Sequence, residues 1–411
     1  MHVPVTVMAT PPEAPRAPGV LPLSGSRMAL GGFFVTGILL AFPGAILPVW
    51  QHHISSEYLM VGLYFVCVTL GLLAASRTAG RLLNKKGLAW TLSCACACAS
   101  VALLYLAFFS PPFAAWWRMP GVLLIGWSAG VLHRGIFQAI SPMYRHDPAA
   151  TVNMAGILFG LGCFAVAWFL SRWFYVYTPG ALQIWIAVVV ALFAVGYARM
   201  RFPEPVEPEH PAVHMLMNEL KTPGAVLLSL ILFFQFGNEW AIAGWLPVFL
   251  SQRLGASPPA AILILAFYWL ALMLGRACSQ WILPRIRHSR LLGLSVFVSV
   301  FACFILLFTD NQFGAVSAVL LLGASFAPVY PLIVERIGRR FPDYHPGFYN
   351  GIFSFAIVGG LLAPSTLGYF AWLLDVRVAI GLPLIGSVIV FVLLGLLWIE
   401  SRLFPSGTPT P

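Results

Sequence analysis

Charge is what this sequence lacks. Only 9% of its 411 residues are Asp, Glu, Lys or Arg, while 60% are hydrophobic. A soluble domain carries roughly 25% charged and 45–50% apolar residues. A soluble chain this poor in charge could not cover its own surface, so lipid must cover most of it. The apolar stretches run on without a polar break, past the roughly 20 residues that a spanning helix needs. A transmembrane barrel alternates instead, in segments of about 10 residues. The pattern therefore excludes a barrel and predicts an all-α membrane protein.

Other absences narrow the function. There is no Gly-x-x-x-x-Gly-Lys-Ser/Thr loop, so nothing indicates direct ATP use. There is no His-Glu-x-x-His zinc pair, and no loop is large enough to hold a soluble catalytic domain. No enzyme and no cofactor are expected. The net charge of +10 comes from short loops between apolar runs and not from any long basic run, so it does not point to nucleic acid. The seven cysteines all lie inside apolar runs. Cys94, Cys96 and Cys98 are spaced by two, about 200° apart in succession on a helix, and read as small packing residues rather than metal ligands. His52 and His53 are an isolated adjacent pair in a loop, weak evidence for a metal. Residues 1–27 are proline-rich and lack the apolar core of a signal peptide, and they read as a disordered cytoplasmic tail.

What is present is a series of twelve apolar runs, at about 28–50, 58–83, 88–110, 118–142, 152–175, 179–200, 222–251, 258–284, 289–309, 313–338, 346–373 and 376–400. Sixteen of the 23 Lys and Arg residues fall in tails and loops on the side of the N-terminus. Four (Arg118, Arg172, Arg253, Arg377) fall on the other side. The positive-inside rule then puts both termini in the cytoplasm of a bacterial inner-membrane protein. The longest polar loop, 201–221, separates a six-helix half at 28–200 from another at 222–400, with a second cytoplasmic tail at 401–411.

The halves repeat each other. Tyr64, Leu70, Gly71 and Arg81 match Tyr268, Leu274, Gly275 and Arg285. Leu47-Pro48-Val49 matches Leu246-Pro247-Val248. Val122, Leu123, Leu124 and Gly126 match Val319, Leu320, Leu321 and Gly323. Asn153 and Gly162 match Asn350 and Gly359. All four offsets are close to half the chain and follow one helix order, which argues for duplication.

Two parallel six-helix halves with a site between them resemble the major facilitator superfamily. The loop after the second run, Gly80-Arg81-Leu82-Leu83-Asn84-Lys85-Lys86-Gly87, is similar to that family's Gly-x-x-x-Asp-Arg/Lys-x-Gly gating loop. Asn84 stands where the family has an acid; it can hydrogen-bond but carries no charge. A narrower resemblance is to the fucose, glucose and galactose proton-symporter branch. It is carried by Phe236-Gly237-Asn238-Glu239-Trp240 with Gly244-Trp245-Leu246, by 323–331 (Gly-Ala-Ser-Phe-Ala-Pro-Val-Tyr-Pro), by Gly351 to Pro364, and by Asn153 to Gly162. Sugar-proton members carry acids in their N-terminal helices. Here the first run has no carboxylate, and the fourth offers His133 and Arg134 instead.

A charge at the bilayer centre costs about 2.5–3.5 kcal/mol even on the lenient insertion scale, so such residues face the bundle interior and are functional candidates. Glu239 is the one acid deep in a span. Gln235 lies one turn before it on the same face, and Asn238 beside it. Arg134, with Gln138 one turn on, could clamp an anion bidentately or pair with Glu239 across the halves. Arg276 shares a stripe with Tyr268 and reads as a partner of Glu239 or a substrate contact. Arg77 can snorkel to the interface, and His133 reads as packing. The resemblance adds Trp245, Tyr330, Tyr268 and Asn350 as substrate contacts, and Gly80, Asn84, Lys85 and Gly87 as the gating loop. The expected function is alternating-access transport of a small polar solute by a monomer in a lipid bilayer, proton-linked and sugar-like first. Organic-anion transport through Arg134 and Arg276 comes second, and export of a drug or metabolite third.

Overall fold

The computed structural model describes residues 23–54, 57–146, 148–200, 202, 222–282, 285–340 and 346–403. The expected tails and the 201–221 loop lie largely outside these residues. Every regular element among the described residues is helical: α1 (Leu23–Ile46), α2 (Tyr58–Lys86), α3 (Leu88–Phe108), a 3-10 turn (Ala115–Arg118), α4 (Met119–His146), α5 (Pro148–Arg172), α6 (Pro179–Ala198), α7 (Pro223–Leu254), α8 (Pro258–Ile282), α9 (His288–Phe308), α10 (Gln312–Phe326), α11 (Val329–Arg340), α12 (Pro346–Leu373) and α13 (Val378–Leu403). Among the described residues, eleven spans are long and apolar enough to cross a membrane. α4 falls short of them because His133, Arg134 and Gln138 interrupt it.

The tenth apolar run, expected as one helix, is two. α10 and α11 are separated at Ala327 and Pro328, because proline has no N–H to give and its ring crowds the turn before it. Local signals set other boundaries. α7 has Pro223 at its first position, and the Thr222 side chain accepts a hydrogen bond from the Ala225 N–H, a well-formed N-cap. It stops at Gly255, whose φ of +60° gives a left-handed C-cap. Gly87, at φ +79°, makes the turn between α2 and α3 with no intervening loop.

Helices α1 to α6 pack chiefly on one another, as do α7 to α13. The two sets meet through α2 with α12, α5 with α8, and α1 with α7. Outer and inner are assigned here by the Lys and Arg distribution. At the outer end the seam is shut. Tyr58 donates to Gln252 Oε1 at 2.5 Å, and Ser171 to the Pro259 carbonyl at 2.7 Å. A Cβ on Gly62 would sit 2.9 Å from Gly368 Cα, and one on Gly44 would collide with the Ala243 carbonyl. These glycines let backbones of opposite halves touch.

The outer end of the first half is held by Arg118, only 3% exposed. Its Nε donates to the Phe109 carbonyl at 3.1 Å and its Nη2 to the Phe113 carbonyl at 3.0 Å. Its Nη1 lies 3.4 Å from both Tyr64 Oη and His52 Nε2, and the guanidinium sits 5.1 Å from the Trp50 ring centroid. Sequence reading counted Arg118 as a loop charge; the fold makes it a pin across four segments. Burial above all, and then the Arg118 charge, push His52 down to about 4. His52 is therefore neutral, with Nε2 accepting from Arg118 and Nδ1 3.9 Å from Glu57.

Two outcomes are expected. Gly62→Val should leave both halves folded while prying the outer seam apart, since overpacking costs about 1–3 kcal/mol. A membrane-impermeant maleimide should then label Ser365→Cys, opposite Gly62, several-fold faster in a background free of native cysteines. Unchanged labelling would mean that the seam is not held shut at this contact. The second outcome concerns pH. The unfolded chain binds a proton at His52 near pH 6.5, whereas the native fold refuses it until about 4. Stability should thus fall as pH drops through that window, by at most about 3 kcal/mol. His52→Gln should flatten that part of the melting-temperature profile of the detergent-purified protein; an identical slope would remove His52 as its source.

Candidate functional site

Halfway along α7, Gln235 and Glu239 stand one turn apart and face α8. Gln235 Nε2 donates to Glu239 Oε1 at 3.0 Å. From α8, Arg276 brings Nη2 to 3.9 Å from Glu239 Oε2. That distance makes an ion pair without a hydrogen bond. Tyr268, two turns before Arg276 on the same stripe, donates to the Glu239 backbone carbonyl at 3.4 Å. Glu239 is 5% exposed. The Arg276 side chain keeps 18%, so what solvent reaches the pair arrives from the guanidinium side.

The group sits against the seam between the halves. The position that a Cβ on Gly156 would take, on α5, is 3.5 Å from Arg276 Nη1, and that of Gly160 is 3.2 Å from Met273. Above the pair, three rings close on one another. Phe159 of α5 lies 6.3 Å from Trp240 and 6.4 Å from Trp269, and the two indoles are 5.8 Å apart. All three contacts are edge-to-face, the arrangement that aromatic quadrupoles favour. Two donors here are buried without a partner, Trp269 Nε1 and Arg276 Nε. An unmade hydrogen bond at a buried donor costs about 1–3 kcal/mol, and such a group calls for an explanation.

The structure thus unites Glu239, Gln235, Arg276 and Tyr268, and it disperses the other candidates. Asn238 turns away into α13, donating to Ser387 Oγ at 3.3 Å. Arg134 does not join Glu239: it lies along α2, donating to the Ser76 carbonyl at 2.9 Å beside Gly80. Its neighbour His133 packs between Phe33 and Phe137, and Gln138 is half-buried one turn on. Trp245 is fully buried in the outer seam. Its N–H is committed to the Pro364 carbonyl at 2.9 Å, and its ring neighbours are Tyr58 and Phe65. In this conformation it is a seal rather than a solute contact. Tyr330 is half-buried, edge-on to Phe236 at 5.3 Å. Of the gating loop, Asn84 and Lys85 are exposed. The Asn350 side chain lies outside the described residues. Trp269 and Phe159 were missed from sequence. The signal available for Trp269 was its place seven residues before Arg276, on the same helix face. Phe159 had no signal beyond its place in a resembling segment.

Two surface depressions, of about 330 and 370 Å³, flank the outer ends of α5 and α8; no residue of the Glu239 group lines either. Among the described residues no group of three or more potential metal ligands forms.

Comparison with known proteins agrees with this architecture. A Major Facilitator Superfamily profile matches residues 28–364 and 228–411. The chain is 22% identical, over 367 residues covering 89% of it and 92% of the relative, to an uncharacterised MFS-type transporter of Yersinia pestis. It is 26% identical over 212 residues, 49% of each chain, to a glucose/galactose transporter of Brucella abortus. Among solved structures, the Escherichia coli fucose:proton symporter superposes with a TM-score of 0.57 at 14% identity, covering 90% of this chain and 98% of that one. A nucleoside transporter superposes with 0.68 at 12%, covering 92% and 99%. At such identities the likeness carries the fold and no more. The helical halves and the profile match over most of the chain together establish that it belongs to the Major Facilitator Superfamily.

Proposed function

We propose that this transporter takes up a small, neutral, sugar-like solute across a bacterial inner membrane by alternating access, as a monomer, and that a proton carried on Glu239 drives it. The observation that carries this reading is the placement of Glu239, Gln235 and Arg276 together at mid-membrane, against the seam where the two halves must part. Among the described residues Glu239 is the one acid at the middle of a long apolar helix. Arg276 already offsets its charge, so the site as a whole suits a neutral guest. The aromatic group beside it and the two unpaired donors suit a ring bearing hydroxyl groups. The names of the glucose/galactose and fucose:proton relatives point the same way. The organic-anion reading needs Arg134 and Arg276 at one locus, and Arg134 lies instead on α2.

The test is uptake by proteoliposomes of radiolabelled D-glucose, D-galactose and L-fucose, with and without an inwardly directed proton gradient. Wild type should accumulate at least one of them when the gradient is applied. Glu239→Gln should lose accumulation and pH dependence while still exchanging labelled for unlabelled solute. Full gradient-driven accumulation by Glu239→Gln would end the proton-carrier assignment.

A further inference from the structure

We propose that Arg276 is a positioning residue that reads the place of α5 and so sets whether Glu239 holds a proton. This rests on the reading of Glu239 as the proton carrier. Three features of the guanidinium lead here. Its contact with Glu239 is loose, at 3.9 Å, and among the described residues it makes no hydrogen bond. Its Nε is buried and unpartnered, so on its own half only the loose ion pair with Glu239 holds it. Its other edge, Nη1, lies against Gly156 of α5, which belongs to the opposite half.

A side chain held this weakly on its own half and backed by the other half is free to follow it. While α5 and α8 stay together, Gly156 backs the guanidinium and keeps it beside the carboxylate. When the halves part on this side, that backing is withdrawn. A carboxylate abandoned in a low-dielectric site is a costly isolated charge, and it takes a proton from the water now admitted. When the seam closes, Arg276 returns and the proton leaves to solvent. No covalent bond other than O–H is made or broken. The other titratable groups facing the pair are Tyr268 on α8, Cys163 on α5 and Cys303 on α9, a phenol and two thiols that carry no charge near neutral pH. The stretches of α12 and α13 beside α7, 359–363 and 386–387, contain none. Arg276 is therefore the charge that decides the state of Glu239.

The test needs no solute. The carboxyl stretch of protonated Glu239 is followed by infrared difference spectroscopy on the reconstituted protein while pH is varied; the band is identified by its loss in Glu239→Gln. Gly156→Leu puts bulk behind Nη1, presses the guanidinium toward the carboxylate and should lower the protonation midpoint by about one pH unit, since an opposite charge within about 4–6 Å is worth 1–3 units. Arg276→Gln removes that charge and should raise it. Gly156→Ala, whose Cβ fits at an ordinary contact distance of 3.5 Å, should match wild type. Gly160→Leu crowds Met273 in the same seam without touching Arg276 and should also match; Gly156→Val replaces the Leu variant if that does not fold. A midpoint equal to wild type in Gly156→Leu, with Arg276→Gln shifted, would overturn the link to α5 while leaving Glu239 as carrier. A band that never differs between wild type and Glu239→Gln would bring down both readings at once.

Discussion

A carboxylate and a guanidinium midway through a bilayer constrain everything around them. Each alone is expensive in that medium, so α7 and α8 must stay close enough for Glu239 and Arg276 to offset each other. Gln235 is placed to donate to the remaining carboxylate oxygen. Yet the pair is not locked. A bidentate clamp would have used Nε, which has no partner, and would have fixed Glu239 in one charge state. Looseness here is what the proposed coupling would require, because two protonation states must be close in energy for one solute and one proton to shift the balance.

The seal at the outer end is built on a different principle. It uses almost no charge: a phenol to an amide, a hydroxyl to a carbonyl, an indole N–H to a proline carbonyl, and glycine backbones in contact. Such contacts bury few ions, so separating them exposes few. Charge is concentrated at the Glu239–Arg276 pair and nearly absent from the contacts between the halves at the outer end. The charges at that end, Arg118 on carbonyls of the first half and the Arg253–Asp310 pair in the second, each find their partners within one half.

The composition made the membrane legible, and the apolar runs made the helices so. Polarity in an apolar run likewise revealed Glu239, Gln235 and Arg276, since depth alone makes a polar residue conspicuous there. Aromatic residues gave no comparable signal. With 14 Trp and 32 Phe in the chain, nothing in a single sequence separates Trp269, which meets α5, from Trp245, which seals the outer end. That depends on which helices the two halves bring together, and pairings across the halves leave no periodicity. Arg118 was misread for a related reason: its position outside an apolar run says nothing about the carbonyls that fold over it. Arg134 was read as deep and functional; its acceptor is a backbone carbonyl on α2, which any residue can supply and no sequence advertises.

That last contact bears on how the chain is made. α4 carries Arg134 beside His133, and these lower the apolar character of its stretch. Chain order places α2 in the membrane before α4 emerges from the ribosome. The Ser76 carbonyl, exposed on α2, is then already waiting as an acceptor within the lipid. That contact offsets part of the cost of carrying Arg134 on a membrane helix.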